Sequence, residues 1–384
     1  MLTINKVFPE KTIPEKTDSF LFFDIETTGF SKDNTILYLI GCGYFIENGF
    51  QFIQWFNDDG TSEEVLLAFH DILKQKDWQL VTFNGNSFDI PYLKRHYELN
   101  ELPCDIESFP SLDFYQFLKP FQSLFQMTHG KQKDWEHFLE LYREDIYDGG
   151  QLIAVYKEYL MNKEEALLHN LLLHNEEDLL GMKYLLPLFS YRMLLSKDLS
   201  LIKVSPGESL FEKGTGSIAI SCKLPLALPK PLNFSTSIGS ISTNKNDSSI
   251  LIISLPYIEE TLKHFFKDYR NYYYLPEEDR AVHKSVGCYV ERKYRRAAKA
   301  STCYIKKEGI FLPIPKTQKH YGIQIERYPY QDSFPLYKRE FKSPRSFAEF
   351  DNLFSDKNES LAIYLRDVIK ELFIIHIQEM NDLI

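Results

Sequence analysis

Residues 21–29 read Leu-Phe-Phe-Asp-Ile-Glu-Thr-Thr-Gly. An apolar run with carboxylates at alternate positions reads as a β-strand, and on a strand residues two apart share a face. Asp24 and Glu26 therefore stand side by side, ahead of a turn marked by Thr28-Gly29. Two like charges that close repel unless a cation lies between them, so the pair asks for a divalent metal. Oxygen-only ligands suit Mg²⁺ or Mn²⁺ rather than zinc. A strand that merely ends in solvated acids is the plain alternative, and motifs further along the chain bear on the choice.

Working outward, residues 36–44 and 50–56 read as second and third strands joined through Glu47-Asn48-Gly49, an Asn-Gly hairpin signal. An amphipathic helix follows over 62–74, with Leu66, Leu67, His70 and Leu73 near helical spacing. Residues 79–83 form a fourth strand, 89–97 a helix, and 104–113 hold a short fifth strand. Helices then dominate near 114–119, 133–141, 150–161 and 163–190, with Asn162 and Glu165 as a capping box for the last. Three meandering strands followed by alternating helices and strands predict an α/β unit, a mixed sheet flanked by helices. The order resembles the ribonuclease H-like fold.

After about residue 200 the texture changes. Ser205-Pro206-Gly207 punctuates the chain, 221–256 is rich in Pro, Ser and Thr, and 233–249 reads as a polar surface loop. Short β-type runs follow at 250–255, 302–306 and 309–312, and a final amphipathic helix spans 359–379. The organisation expected is a ribonuclease H-like domain over 1–198 and a C-terminal α+β domain over 205–384.

At 384 residues the chain is long enough for two domains, and its 44% hydrophobic and 26% charged composition is that of a globular protein. No apolar stretch approaches the roughly 20 residues that span a bilayer. Neither a signal peptide nor a membrane partner is expected, and the chain reads as cytoplasmic. The five cysteines are widely spread without a Cys-x-x-Cys pair, so neither a zinc site nor a disulfide framework is suggested. The net charge of −10 hides an asymmetry. Residues 284–319 carry ten Lys or Arg against Glu291 and Glu308, a local +8 that leaves −18 on the rest. An acidic body with one basic stretch is compatible with a nucleic acid partner.

Two further motifs join the first. Asn84-Gly-Asn-Ser-Phe-Asp89 stands at the end of the fourth strand and the start of a helix. There Asp89 either faces a groove at a strand's carboxyl end or caps the helix. Asn84 and Asn86 either hold a terminal nucleotide or supply turn backbone; Asp113 reads as a helix cap. His174-Asn-Glu-Glu-Asp178 lies inside the long helix, with His174 and Asp178 four apart on one face beside Leu167, Leu171 and Met182. Either that pair lies solvated at a groove edge, or a metal removes the cost of burying Asp178.

Together Asp24, Glu26, Asp89 and Asp178 resemble the four acids of DEDD-type, DnaQ-like 3′–5′ exonucleases. Within that superfamily the chain is most similar to the YprB-type ribonuclease H-like group, through residues 111–115, 135–139 and Tyr142-Arg-Glu-Asp-Ile146. The resemblance covers about 18–192. It implies two divalent cations, Mg²⁺ or Mn²⁺, held by Asp24, Glu26, Asp89 and Asp178, with Asp24 shared between them and His174 as general base. It also implies stepwise hydrolysis from the 3′ end of single-stranded DNA or RNA, with Thr27, Asn84 and Asn86 near the substrate. The last motif departs from the two main subfamilies: its spacing is that of Tyr-x-x-x-Asp, yet position 174 is His, and Leu173 occupies the place that His-x-x-x-x-Asp would use. The YprB-like group accepts His-Asn-x-x-Asp. A catalytically weak nucleic-acid-binding or scaffold protein is the competing reading.

In the second half, Tyr272-Tyr-Tyr274 and a basic run with Arg292, Lys293, Arg295 and Arg296 offer rings and cations to a single strand. The alternative is packed tyrosines and a helix over 291–299 with a solvated basic face.

Overall fold

The strand carrying Asp24 and Glu26 is β2 (Phe20–Thr27), and its alternation sorts its side chains onto two faces. Leu21, Phe23 and Ile25 enter an apolar cluster with Leu66 and Phe69 of α1 (Glu63–Leu73) and Leu93 of α2 (Asp89–Leu99). Each such side chain contributes roughly 1.5–3 kcal/mol on burial. Asp24 and Glu26 point to the opposite face, where Tyr38, Phe56, Tyr156 and Leu171 form a second cluster. That face is covered by α5 (Gly149–Asn162) and α6 (Glu165–Tyr184).

The computed structural model describes residues 1–196, 199–206, 215–326, 335–354 and 359–382. Two compact units emerge, Met1–Pro187 and Leu188–Ile384. Gly207 of the expected punctuation, and residue 198, the expected end of the first domain, lie outside the described residues.

In the first unit the strands are β1 (Leu2–Pro9), β2, β3 (Leu37–Ile46), β4 (Gly49–Phe56), β5 (Gln79–Thr82) and β6 (Ser111–Asp113). Their order is β1-β4-β3-β2-β5-β6. The first four pair antiparallel, whereas β5 runs parallel to both β2 and β6. This is the mixed sheet flanked by helices that the pattern predicts. Sequence reading misses β1, which pairs along all of β4 from Leu2↔Phe56 to Pro9↔Gly49. As an edge strand it exposes most side chains on both faces, so no alternation marks it. Helices α3 (Phe114–Leu124) and α4 (Gln132–Phe138) complete the unit. The capping box expected at Asn162 and Glu165 is absent: Asn162 ends α5, Lys163 turns left-handed at φ 55°, and Glu164 starts α6 without a side-chain cap. A capping box occurs instead at the start of α5, between Asp148 and Gln151.

The second unit opens with α7 (Phe189–Leu194), β7 (Ser200–Pro206) and β8 (Thr215–Lys223). The loop expected over 233–249 holds a hairpin, β9 (Asn233–Thr236) and β10 (Gly239–Thr243). Its strands are short and built largely of Ser and Thr, which conceals the strand pattern. The short runs expected after residue 250 are parts of longer strands: β11 is a 16-residue strand (Ile250–Phe265) and β15 spans Tyr304–Pro313. Between them lie β12 (Tyr272–Leu275), β13 (Arg280–His283), α8 (Lys284–Gly287) and β14 (Arg296–Ala297), the three strands forming a small sheet in the order β13-β12-β14. The basic run is therefore not a helix over 291–299. Arg292–Tyr294 make one 3-10 turn and Arg296 enters β14. β16 (Gln318–His320) and β17 (Ile323–Ile325) pair with each other, and β18 (Leu336–Tyr337) and β19 (Phe347–Glu349) extend the large sheet beside β15. Helices α9 (Phe350–Phe354) and α10 (Glu359–Asn381) follow, the Phe373 ring of α10 lying tilted against Phe234 at 5.8 Å. No described helix is long and apolar enough to cross a membrane.

Candidate active site

Three elements converge on the acidic face of β2. The first is the turn into α2. Asn84 adopts φ 67°, a left-handed conformation that Asn tolerates, and its N–H donates to Asp113 Oδ1 at 2.8 Å. The Asn86 N–H donates to Asp113 Oδ2 at 3.1 Å, and Asp113 also caps α3 by accepting from Tyr115 N. This carboxylate ties the turn to the next helix, which brings Asp89, the first residue of α2, over β2. The Ile25 N–H donates to Asp89 Oδ1 at 3.3 Å. Thr27 closes the turn after β2 by donating to Gly29 O at 2.8 Å.

The second element is α6, which comes close to the sheet because β3 carries Gly41. A Cβ at position 41 would lie 1.9 Å from Asn175 Oδ1. Asn175, fully buried, accepts from Gln54 Nε2 at 3.0 Å and donates from Nδ2 to Asp24 Oδ2 at 2.9 Å. His174 and Asp178 then face Glu26: His174 Nε2 lies 3.6 Å from Glu26 Oε1 and 3.4 Å from Asp178 Oδ2.

The third element is the connection from α4 to α5. Arg143 binds Glu136 through Nε at 2.5 Å and Nη2 at 2.6 Å, and its Nη1 lies 2.6 Å from Asp178 Oδ1. Glu177 accepts the N–H groups of Glu144 and Asp145, both at 2.8 Å. Asp145 Oδ2 lies 2.7 Å from His174 Nδ1 and 3.0 Å from Lys133 Nζ. Glu176 pairs with Lys6 of β1. Each residue of the His-Asn-Glu-Glu-Asp motif thus has its own partner.

The electrostatics follow from this crowding. Burial, less the relief from His174 and together with the charges of Asp178 and Asp89, pushes the Glu26 carboxyl up to about 8. Burial raises Asp89 to about 7 against the hydrogen bonds it accepts. Burial, then repulsion from Asp178, Glu26 and Asp89, holds Asp24 well above the carboxylate range. For His174 burial alone would lower the pKa, but Asp178, Glu26 and Asp145 outweigh it and the net shift is upward. Carboxylates held this high are short of positive charge. One ligand atom from each of Glu26, His174 and Asp178 falls within 4.8 Å of the others, a donor set that fits a divalent cation.

Asp24, Glu26, Asp89, His174 and Asp178, taken from the sequence as one constellation, are therefore brought together. Asn84 and Asn86 lie in the turn beside them, with their backbones held by Asp113. Arg292, Lys293, Arg295 and Arg296 belong to the second unit, where Lys293 pairs with Glu291 at 3.0 Å. Arg295 lies over the Tyr273 ring at 4.6 Å and donates to Gly287 O. Sequence reading passes over Arg143, Asp145, Asn175 and Glu136. Arg143 and Asp145 stand within Tyr142–Ile146, and the missing countercharge for Asp178 is the signal that points to Arg143.

A family model for the RNase_H superfamily matches residues 21–189. Among solved structures, the family B DNA polymerase from the archaeon Pyrobaculum calidifontis is 14% identical, with a TM-score of 0.36 over 70% of this chain and 39% of that one. A product-bound exonuclease I is 9% identical, with a TM-score of 0.28 over 52% of this chain and 58% of that one. The zinc-bound E. coli ExoI–ssDNA complex is 11% identical, with a TM-score of 0.28 over 52% and 54%. The chain thus spans about two-fifths of the polymerase and a little over half of exonuclease I. No curated protein matches it. With that match over 21–189 and a mixed sheet covered by helices on both faces, the first unit has the ribonuclease H-like fold.

Proposed function

We propose that the protein is a metal-dependent 3′–5′ exonuclease of the DEDD, DnaQ-like type, nearest in pattern to the YprB-type group and acting on single-stranded DNA or RNA. The observation that carries this reading is the convergence of Asp24, Glu26, Asp89, His174 and Asp178 in one buried, charge-starved cluster. Asp24, Glu26, Asp89 and Asp178 would hold two divalent cations, Mg²⁺ or Mn²⁺. Bound there, such ions neutralise charge developing on phosphorus and on the leaving oxygen and lower the pKa of water. The chain's own residues supply the rest. His174, its Nδ1 side engaged by Asp145, accepts at Nε2 a proton from the water that adds to phosphorus as the P–O3′ bond breaks. Asn175 fixes Asp24, and Arg143 fixes Asp178. Asn84 and Asn86 border the place of the terminal nucleotide. Of the basic run Arg292, Lys293, Arg295 and Arg296, the exposed Arg292, Lys293 and Arg296 would lend cations to the rest of the strand. The products are a nucleoside 5′-monophosphate and a new 3′-hydroxyl.

One observation favours a second reading, a catalytically weak nucleic-acid-binding or scaffold protein: Arg143 already places a cation on Asp178. Incubating the purified protein and Mn²⁺ with 3′-labelled and 5′-labelled DNA and RNA oligonucleotides separates the two. Release of labelled mononucleotide from the 3′ end, with a descending ladder from the 5′ label, supports the exonuclease. Binding without hydrolysis supports the scaffold.

A further inference from the structure

A neutral imidazole carries one N–H, and which nitrogen holds it is set by the surroundings. For His174 the two sides are unequal. On one side Asp145 Oδ2 lies 2.7 Å from Nδ1, a full hydrogen bond. On the other, Asp178 and Glu26 stand off Nε2 by 3.4 and 3.6 Å, too far to compete for the proton.

The Asp145 carboxylate is itself immobilised. Its side chain is 1% exposed. Lys133 Nζ donates to Oδ2 at 3.0 Å and the Tyr147 N–H to Oδ1 at 2.9 Å. Its own N–H is bound at 2.8 Å by Glu177, three residues beyond His174 on the same helix. The acceptor is therefore fastened to the helix that carries the imidazole.

We propose that Asp145 is a positioning residue that holds His174 in its Nδ1–H tautomer and aims the Nε2 lone pair into the space between Glu26 and Asp178. The role of that lone pair in hydrolysis rests on the exonuclease reading; the tautomer does not. Carboxylates placed behind a metal-ligating histidine in this way typically matter by about 10–100-fold when removed, and a comparable effect is expected here.

The test uses full-length, metal-free protein with ¹⁵N-labelled histidine at alkaline pH, the His174→Gln variant identifying the relevant signals. Long-range ¹H–¹⁵N spectra are expected to show His174 protonated at Nδ1 and bare at Nε2. Asp145→Asn should lose that pattern, whereas Lys133→Ala should keep it. In the nuclease assay Asp145→Asn should lower kcat by about tenfold or more, with KM little changed, and Asp145→Glu should recover part of the loss. A wild-type spectrum with the proton on Nε2 overturns the proposal even if Asp145→Asn fails to fold. An unaltered tautomer in folded Asp145→Asn overturns it as well. If the wild type hydrolyses no oligonucleotide, the exonuclease reading fails while the spectra still decide the role of Asp145.

Discussion

A Cβ built on Gly181 would meet Glu136 Oε1 at 2.0 Å and Gln132 Nε2 at 2.7 Å, so α6 and α4 approach as they do only because position 181 has no side chain. Glu136 has no room to withdraw, since Arg143 grips it through two nitrogens and Gln132 Nε2 donates to it at 2.9 Å. In an open helix Gly→Ala gains about 1 kcal/mol from propensity. Here overpacking of roughly 1–3 kcal/mol opposes it. Gly181→Ala should lower the denaturation midpoint, while Gly149→Ala, with no neighbour within 4 Å of its added carbon, should not. A midpoint for Gly181→Ala at or above wild type would contradict the tight contact.

Arg143 has a side chain 9% exposed and sits between Glu136 and Asp178, whose side chains are 3% and 19% exposed. Breaking a buried pair from one side leaves an uncompensated charge and costs about 3–5 kcal/mol. Arg143→Ala should therefore destabilise the protein by about that amount in urea titrations. A loss under about 1 kcal/mol would rank the pair with surface ion pairs.

Removal of the cation should make stability fall as pH rises. The folded-state pKa values of Glu26 and Asp89 are raised, to about 8 and about 7. The native state thus holds protons that the unfolded chain has released. Their contribution is fully present below the ordinary carboxylate range and is lost as pH rises through those folded-state values. Melting of EDTA-treated protein should show this decline, and Mn²⁺ should oppose it, adding about 2.7 kcal/mol at a hundredfold excess over Kd. Asp24→Asn should abolish hydrolysis yet raise the melting temperature of the metal-free protein at neutral pH, because the cost of burying that carboxyl among other acids is gone. Full hydrolysis by Asp24→Asn would sink the metal assignment, and a pH-independent melting temperature would show that burial and crowding do not raise these carboxyls.

What could be read from the sequence is what local periodicity encodes. The two-residue spacing of Asp24 and Glu26 and the four-residue spacing of His174 and Asp178 each place two side chains on one face, and strand or helix alone delivers them. The turn 84–88 was legible for a similar reason, since Asn and Gly write backbone conformation into the chain. Asp145 and Arg143 left no such trace, because their significance comes from pairing with α6 across an irregular connection. Edge strand β1 lacks a buried face and so lacks a pattern. In the second unit the basic run resembled a helix on charge spacing, but its backbone is held by the Tyr273–Ala297 and Tyr274–Arg296 pairing, which only the assembled sheet reveals.

That geometry divides the basic residues in a way their charges do not. Arg292, Lys293 and Arg296 are exposed, whereas Arg295 is half-buried, lying over Tyr273 and donating to Gly287 O. Under the proposed reading the first three would meet phosphates; Arg295 braces α8 against the small sheet. Replacing Arg292, Lys293 and Arg296 with Ala should weaken oligonucleotide binding similarly across sequences and flatten the dependence of log K on log salt, by about one unit of slope for each phosphate no longer neutralised. Melting temperature and kcat should stay near wild type, with the effect confined to apparent KM. Arg295→Ala should behave differently, lowering thermal stability through the missing stacking and hydrogen bond. Affinity measured against salt for the triple variant and for Arg295→Ala, beside their melting curves, separates the two roles. Coincident salt slopes for the triple variant and wild type would leave these cations a solvated face with no part in holding a nucleic acid.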